Sequence, residues 1–271
     1  MVQHLIVPVD GSDASWKAVN IALALARRVD STVEVVEVAA DEAEVDGLET
    51  ALTERVQQPS GADVTISTTV RVADVSVAAT LEEIVDDHPD GMVVMSSHGH
   101  GRSAALLGSV TEELLQRTFG PILVVGPHTQ PSDFDGPIIA TVDGSKASEF
   151  GLPLAAAWGI ELRGEPWVVQ VADPDAVTSP DTSESAYTAR LARRLAKDSG
   201  HPAQFEVLHG HDVADEVSDF ASSMGATMVV ATTHGRSGMS RFVIGSTAAA
   251  LVRHARCPVM LLRPPHLAVA D

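Results

Sequence analysis

The sequence predicts two α/β domains in tandem, each built on an open, doubly wound parallel sheet. Three observations support this prediction. Short apolar runs alternate with segments of helical periodicity, and one block of sequence occurs twice in the chain. The length of 271 residues accommodates two domains of ordinary size. The longest apolar runs fall well short of the roughly 18 residues that a membrane-spanning helix needs, so we expect no membrane partner.

The first copy supplies five strand segments in order. HLIVPV is a short apolar strand, SWKAVNIALALARRV has helical spacing, and TVEVVEV is the next strand. The acidic stretch 41–56 is expected to be a solvated surface helix or loop, and DVTISTTVRV alternates as a third strand. VSVAATLEEIVDDH places Val77, Leu81, Ile84 and Val85 on one helical face. GMVVMSS, SVTEELLQRTF and PILVV complete the unit as strand, helix and strand.

The second copy repeats this pattern. LIVPVDGSDASWKAVNIALALA at 5–26 resembles IIATVDGSKASEFGLPLAAAWG at 138–159, and the helix after the first strand is expected in both. Asp10 and Asp143 are 133 positions apart, and Gly99 and Gly235 are 136 apart. Such steady separations indicate duplication of a domain-sized unit. We predict domains at 1–127 and 137–271, joined by a polar linker rich in Pro, Gly and Asp at 128–136.

Strands that alternate with helices favour a Rossmann-like sheet with strand order 3-2-1-4-5. Ligands of such sheets bind beyond the carboxyl ends of the strands, where the strand order reverses. The VDGS turn after strand one and the glycine-rich loop after strand four both lie at such ends, so we expect them to meet at one crevice per domain. Because the last strand leaves an edge to cover, we also expect the domains to pair within the chain as a pseudo-dimer, with a further homodimer left open.

The composition excludes several classes of function. The chain carries 18 basic and 37 acidic residues, a net charge of −19, which repels nucleic acid and anionic lipid. None of the three lysines lies in a P-loop. The single cysteine, Cys257, rules out an intrachain disulfide and a cysteine metal cluster, and is expected to be a small buried residue. The amino terminus has no basic leader, so we expect a cytoplasmic protein.

Asp10 and Asp143 are the first candidate ligand-binding residues. A carboxylate at the end of strand one is suited to accept hydrogen bonds from a ribose hydroxyl or a base amino group. The alternative is local turn chemistry, since Asp-Gly favours a tight turn and Ser12 or Ser145 is then placed to cap the helix. The two interpretations are compatible, because the serine can cap while the aspartate faces the crevice.

The glycine-rich loops are the second candidate. Gly99 and Gly235 stand where backbone would approach a phosphate closely. The pairs Gly108-Ser109 and Gly245-Ser246 are predicted to start a helix, where N–H groups and a hydroxyl form an anion cradle. The alternative is that both serines are ordinary N-caps, with Glu112 completing a capping box in the first copy.

Charged and titratable residues in these loops allow more than one role. His98 and His234 are expected to structure the loop rather than act as general bases, because neither a catalytic set nor a metal-ligand spacing accompanies them. Arg102 and Arg236 either reach a phosphate or stay solvated. We therefore expect no metal site built by the protein alone.

The combined pattern resembles the universal stress protein family, over nearly the whole chain as two copies. The family's mark is P-V-D-G-S in the first strand, then G-x-x-G, nine residues and G-[ST]. This sequence has PVDGS at 8–12 and HGRSGMSRFVIGS at 234–246. It departs from the pattern at Ser96 and Thr232, which replace the first glycine of G-x-x-G, and at Thr141, the counterpart of Pro8; the first loop is also one residue short.

The resemblance implies ATP bound at each crevice, with Mg²⁺ arriving with the nucleotide. Asp10 and Asp143 would hold the ribose, Val38, Met95, Val171 and Ala231 would border the adenine, and the glycine-loop residues would hold the phosphates. The implied binding residues are Pro8, Asp10, Val38, Met95, Ser96, Gly99, Gly108, Ser109, Val110 and Thr111 in the first copy, and Asp143, Val171, Ala231, Thr232, Gly235, Gly245, Ser246 and Thr247 in the second.

Three functions follow as hypotheses. The leading one is a cytoplasmic ATP-binding stress-response sensor or regulator, acting through an unidentified regulatory protein partner. A second is an enzyme that hydrolyses ATP slowly or transfers an adenylyl group, using His98 or His234 with Asp10 or Asp143. We expect hydrolysis to be slow at most, because the loops offer no evident base, lysine clamp or pair of metal-binding carboxylates. A third is an interaction module of the same fold that does not bind nucleotide, motivated by Ser96 and Thr232.

Overall fold

A computed structural model gives the fold of the chain and describes residues 2–57, 63–99, 107–175, 185–233 and 244–264. Residue contacts divide the chain into two compact units, Met1–Pro127 and His128–Asp271, here called the first and the second unit. Across the described ranges, none of the helices combines the length and apolar character needed to cross a bilayer.

The first unit has the predicted parallel sheet. Its elements in chain order are β1 (His4–Val9), α1 (Asp13–Val29), β2 (Thr32–Ala39), α2 (Glu42–Gln57), β3 (Ile66–Val72), α3 (Val77–Asp86), β4 (Gly91–Ser96), α4 (Ser109–Arg117) and β5 (Ile122–Val125). The strands lie in the order β3-β2-β1-β4-β5, and neighbouring strands pair in parallel. The predicted order 3-2-1-4-5 is therefore confirmed.

The second unit repeats this topology. Its elements are β6 (Ile138–Thr141), α5 (Lys146–Glu149), α6 (Leu152–Leu162), β7 (Pro166–Ala172), α7 (Ala186–Ser199), β8 (Gln204–His209), α8 (Val213–Ser223), β9 (Met228–Thr232), α9 (Ser246–His254) and β10 (Val259–Leu262). The strand order is β8-β7-β6-β9-β10, again with parallel pairs. The expected pairing of the two units through their last strands stays a prediction.

The central strands of both sheets are largely buried. Leu5 and Ile6 in β1 and Met228 and Val229 in β9 have no solvent exposure, as expected for parallel strands covered on both faces. Cys257 is also buried, and burial raises the pKa of its thiol to about 12. The expectation of a small buried residue is confirmed, and a thiol held neutral in this way is chemically inert.

Two helices differ from the sequence expectation in which residues they bury. In α3, Leu81 and Ile84 are buried as predicted, whereas Val77 and Val85 are only half-buried. Ala78 and Thr80 take the remaining buried positions, because the helix turns a slightly different face to the sheet. The acidic stretch 41–56 forms α2, which is largely solvated as expected but buries Leu52 and Val56 along one side.

The helix that follows the first strand is continuous in the first unit and divided in the second. Where α1 runs unbroken over 17 residues, its counterpart splits into α5 and α6. Pro153 lacks the N–H that a continuous helix would donate to the carbonyl of Glu149. Gly151, next to the break, would place an added Cβ 3.3 Å from Val230 Cγ1, so the chain passes close to β9 at this point.

The stretch 128–136, predicted as a polar linker, is anchored to the second unit rather than freely solvated. Phe134 is fully buried, and its N–H donates to the hydroxyl of Ser132 at 3.1 Å. That hydroxyl also lies 3.2 Å from the hydroxyl of Thr227, immediately before β9. The sequence therefore underestimated how much of this segment belongs to a folded unit.

Candidate functional site

Each unit has one crevice at the carboxyl ends of its first and fourth strands. The first crevice, between the end of β1, the end of β4 and the start of α4, has a volume of about 410 Å³. The second crevice, between the ends of β6 and β9 and the start of α9, has a volume of about 300 Å³. Both values lie within the range of about 300–1,000 Å³ that is typical of small-molecule sites.

Most of the predicted binding residues of the described chain line these two cavities. Those in the first crevice are Pro8, Asp10, Met95, Ser96, Gly99, Gly108, Ser109, Val110 and Thr111. Those in the second crevice are Asp143, Ala231, Thr232, Gly245, Ser246 and Thr247. Two loops distant in sequence therefore meet at one crevice in each unit, as the topology predicts.

A few of the predicted site residues either do not line a crevice or lie outside the described residues. Val38 and Val171, near the ends of β2 and β7, do not line the cavities formed by the described residues. Gly235, with His234 and the loop arginines Arg102 and Arg236, lies outside the described residues.

The two Asp-Gly turns have nearly the same geometry. Asp10 Oδ1 accepts hydrogen bonds from the N–H of Ser12 at 3.1 Å and from its hydroxyl at 2.6 Å. Asp143 Oδ1 accepts from the N–H of Ser145 at 2.9 Å. The intervening glycines have φ of 82° and 86°, a left-handed conformation that favours glycine. Ser12 and Ser145 cap the following helices, so the predicted turn chemistry is present while both aspartates line the crevices.

Sequence reasoning missed one more serine in each turn. Ser15 Oγ accepts from the N–H of Asp10 at 3.4 Å, and Ser148 Oγ accepts from the N–H of Asp143 at 3.1 Å. Each serine lines its crevice and holds the aspartate backbone in place. The signal was available, because both copies have a serine at the fifth position after the aspartate.

The helix starts are arranged as open anion sites. The N-cap residues are Gly108, with φ −65° and ψ 148°, and Gly245, with φ −56° and ψ 142°; neither has a side-chain cap. The first intrahelical donors are the N–H groups of Glu112, which bonds Gly108 at 2.9 Å, and Ala249, which bonds Gly245 at 3.0 Å. The three N–H groups before each of these donors belong to residues 109–111 and 246–248, all of which line the crevices. Free helix N-termini of this kind favour phosphate.

The alternative interpretation of Ser109 and Ser246 as ordinary N-caps is wrong. Both are the first residue inside the helix rather than the cap, because the glycine before each one has the non-helical ψ of the N-cap position. Glu112 is then the fourth helical residue, one position too late for a capping box. Each serine hydroxyl is exposed at the crevice instead of closing the helix end.

Gly99 approaches a carboxylate in the first crevice. A Cβ at Gly99 would overlap Oδ2 of Asp10, so the absence of a side chain lets the aspartate occupy this place. The prediction was that Gly99 allows backbone to approach a phosphate. The structure shows a second reason for glycine here, since this contact joins the turn after β1 to the loop after β4.

The loop after β4 is organised by side-chain hydrogen bonds. The hydroxyl of Ser96 donates to the carbonyl of His98 at 2.9 Å, and the hydroxyl of Ser97 lies 2.9 Å from His98 Nδ1. Thr111 donates its hydroxyl to the carbonyl of Ser96 at 3.2 Å, which ties α4 to the end of β4. These contacts support the expectation that His98 structures the loop.

The first crevice has a charged cluster beside its Asp-Gly turn. Glu37 pairs in register with Val9, the residue before Asp10, and its pKa is raised by burial and by the neighbouring Asp10 carboxylate, with Arg55 opposing the shift. Arg55 donates to the carbonyl of Gly11 at 2.9 Å, and its guanidinium carbon lies 4.4 Å from the ring centroid of Trp16. Sequence reasoning missed Arg55, the one basic residue in the stretch 41–56.

The second unit uses different residues next to its turn. Arg194 donates to Glu149 at 2.9 Å, and the hydroxyl of Tyr187 donates to the other oxygen of Glu149 at 3.2 Å. Burial, followed by the charge of Glu149 and a smaller effect of Asp143, raises the pKa of Tyr187 to about 12. The counterpart of Glu37 is the uncharged Gln170.

The fold and these crevices define a class of protein: a tandem, doubly wound α/β protein with two sites that each combine a carboxylate with an open helix N-terminus. Comparison with known proteins gives the family. The chain belongs to the universal stress protein family, whose model matches residues 1–126 and 136–263.

Curated relatives and solved structures agree with this assignment. A universal stress protein of Mycolicibacterium smegmatis is 30% identical over 211 residues, covering 74% of this chain and 69% of the relative. One from Mycobacterium tuberculosis is 29% identical over 215 residues, covering 75% and 71%. The crystal structure of a universal stress protein from Archaeoglobus fulgidus shares the fold, with a TM-score of 0.72, 18% identity and coverage of 97% and 99%.

Proposed function

We propose that the protein is a cytoplasmic ATP-binding regulator that holds one adenine nucleotide in each crevice. One observation carries this proposal: in both units the open N-terminus of a helix and the carboxylate of an Asp-Gly turn face the same cavity. A helix N-terminus favours phosphate oxygens, and a carboxylate at the other side is suited to ribose hydroxyls. The spacing of the family motif in the sequence supports adenine nucleotide as the ligand.

The residues have separate roles in this proposal. The N–H groups of residues 109–111 and 246–248 would donate to phosphate oxygens, and Asp10 and Asp143 would accept from the ribose. Met95 and Ala231, at the ends of β4 and β9, would border the adenine. Val38 and Val171 would contribute where the base extends beyond the cavity onto β2 and β7. Mg²⁺ would bind with the phosphates and supply charge neutralisation.

Binding itself, rather than turnover, is the proposed function. The described residues that line the two crevices include neither lysine nor arginine, and His98 Nδ1 contacts the hydroxyl of Ser97, a buried residue that does not line the crevice. Electrostatic stabilisation of a transferring phosphoryl group is the main requirement for catalysis, so hydrolysis is expected to be slow. Bound nucleotide would instead connect the turn after the first strand to the loop after the fourth strand. This connection would alter a surface that a regulatory partner recognises.

The direct test removes one backbone donor without disturbing the helix. Ser109→Pro and Ser246→Pro each delete an N–H at the first helical position, where proline is well tolerated and where the preceding glycine already has the extended backbone that proline requires. Ser109→Ala and Ser246→Ala are the matched controls, since they lose the hydroxyl but keep the N–H.

The measurement is titration calorimetry with Mg²⁺-ATP, together with native mass spectrometry of gently purified protein. Wild type is expected to bind two equivalents, and each proline variant is expected to lose about 10–100-fold in affinity at its own crevice, the value of a hydrogen bond to a charged group. The alanine controls should lose less. Proline variants that bind ATP as tightly as wild type would show that the helix N-termini do not hold the phosphates.

A thermal test separates this proposal from an interaction module of the same fold. Occupancy at 100 times Kd should stabilise the protein by about 2.7 kcal/mol per site. No shift with millimolar ATP would favour the interaction module, whereas release of ADP well above background would favour the enzyme hypothesis.

A further inference from the structure

A second polar cluster lies at the same edge of the second sheet, outside the crevice. Asp173 and Asp175 follow β7, and His211 follows the neighbouring strand β8. Because adjacent parallel strands end at the same edge, the three side chains converge. One ligand atom from each of them lies within 4.8 Å of the other two, and all three residues are exposed.

Each ring nitrogen of His211 lies near a different carboxylate. His211 Nδ1 lies 3.3 Å from Asp173 Oδ1, and Nε2 lies 3.8 Å from Asp175 Oδ2. A neutral imidazole donates to only one of two carboxylates, whereas an imidazolium donates to both. A bound cation is the alternative: it takes the lone pair of one ring nitrogen and neutralises the two carboxylates.

The ligand set and its spacing fit a transition metal. Imidazole combined with carboxylates suits Zn²⁺, Co²⁺ and related ions, whereas Mg²⁺ and Ca²⁺ prefer oxygen ligands alone. Two tetrahedral ligands at bond lengths of about 2.0–2.1 Å lie about 3.3 Å apart. His211 Nδ1 and Asp173 Oδ1 already have this separation, 3.3 Å. The net charge of −19 also attracts cations to the surface.

We propose that Asp173, Asp175 and His211 bind one divalent transition-metal ion, with Zn²⁺ the best match, at the edge of the second sheet. The site is specific to the second unit, because the first copy has Ala40 and Glu42 at the positions of Asp173 and Asp175 and has no histidine between β3 and α3. The ion joins the segment after β7 to the segment before α8. Val213, two residues after His211, lines the second crevice, so the ion steadies one wall of that crevice. Metal binding here does not depend on nucleotide.

The experiment titrates the full chain, stripped of metal with a chelator and free of nucleotide, with Zn²⁺ in the calorimeter and with Co²⁺ followed by its visible absorption. Wild type should bind one equivalent that is lost or weakened in Asp173→Asn and in His211→Gln. Loss of an outer-shell partner already costs about 10–100-fold in metal affinity, so loss of a ligand should cost at least that much.

His254→Gln is the matched control. His254 forms an exposed ion pair with one carboxylate, Asp215, and so tests whether any histidine–aspartate pair gives the signal. Its metal affinity should equal that of wild type. Circular dichroism should show all variants folded, since the substituted side chains are exposed. The proposal is overturned if wild type binds neither ion at micromolar concentration, or if the His211→Gln and His254→Gln variants bind alike.

Discussion

The two crevices share a backbone and differ in the side chains that surround it. In both, an Asp-Gly turn, a supporting serine and an open helix N-terminus occupy matching places. The first crevice is the larger and has Glu37 beside its aspartate, where the second has Gln170. After duplication, the main-chain geometry of the site was kept while its electrostatic surroundings diverged. The proposed affinity for phosphate should therefore be common to both units, and its dependence on pH should not.

The residues beside the turns show the same divergence. Arg55 is stacked on Trp16 in the first unit, and Arg194 is paired with Glu149 in the second. Trp16 and Glu149 occupy corresponding positions of the two copies. An arginine approaches the start of the helix in each unit, but its partner is an aromatic face in one and a carboxylate in the other. One geometry has thus been maintained by two kinds of interaction, each worth about 0–1 kcal/mol at an exposed site.

The largest expected effect tests whether the helices α4 and α9 are packed equivalently in the two units. Leu114 and Leu251 occupy matching positions in α4 and α9, and both are buried. Replacing either by alanine should cost about 2–5 kcal/mol of unfolding free energy in its own unit, because a buried side chain is lost and a cavity is left. Hydrogen exchange resolved by mass spectrometry would assign the loss to the unit. Unequal losses, differing by more than about 2 kcal/mol, would show that the two helices are not equivalently packed.

The next largest effect is a loss of stability that should differ between the starts of α4 and α9. An added Cβ would lie 3.0 Å from the carbonyl oxygen of Thr233 at Gly245, but 3.4 Å from that of Ser97 at Gly108. Gly245→Ala should therefore destabilise its unit by about 1–3 kcal/mol through overpacking, and Gly108→Ala by less. Chemical denaturation of the matched pair provides the measurement. Equal losses of stability would mean that the loop before α9 shifts to accommodate the added Cβ as easily as the loop before α4 does.

The difference between Glu37 and Gln170 should appear in the pH dependence of stability. Burial and Asp10 raise the pKa of Glu37, so its proton is held more tightly in the folded state. Such a group favours folding at low pH, and its contribution is lost as pH rises from the ordinary glutamate pKa of about 4.3 through the raised value. Glu37→Gln should therefore match wild type near pH 4 and be more stable at pH 7.

The reverse substitution gives the control for this prediction. Gln170→Glu places a second carboxylate beside Asp143, and should leave stability unchanged near pH 4 and lower it at pH 7. Thermal unfolding across this pH range would measure both. If Glu37→Gln shifted stability equally at both pH values, the effect would come from packing rather than from charge.

The smallest effect near neutral pH concerns Tyr187, the only tyrosine of the chain. Phenolate absorbance should titrate with a pKa of about 12. Glu149→Gln should lower this pKa toward the ordinary value of about 10 without reaching it, because burial is the largest cause of the shift and remains. Since folding raises this pKa, stability is lost only as pH rises above about 10. An unchanged titration in Glu149→Gln would remove the carboxylate from the explanation.

Much of the fold and part of the site were predictable from the sequence. The alternation of apolar runs with helical periodicity predicted both sheets and their strand order, because parallel strands must be buried on both faces and connected by helices. The Asp-Gly turns were predictable from local chemistry alone, since a left-handed glycine is required there. Because the strand–helix alternation and the Asp-Gly turn both recur at a steady separation, the prediction made for one unit also applied to the other.

The tertiary structure decided the features that depend on how segments distant in sequence meet in space. The position of Gly108 and Gly245 as caps places Ser109 and Ser246 inside their helices, and a pattern of residue types does not distinguish these registers. The contact of Gly99 with Asp10 and the convergence of His211 with Asp173 join positions that are remote in sequence. Local preferences act over a few residues and so can be read along the chain, whereas these distances are set by the packing of whole strands and helices.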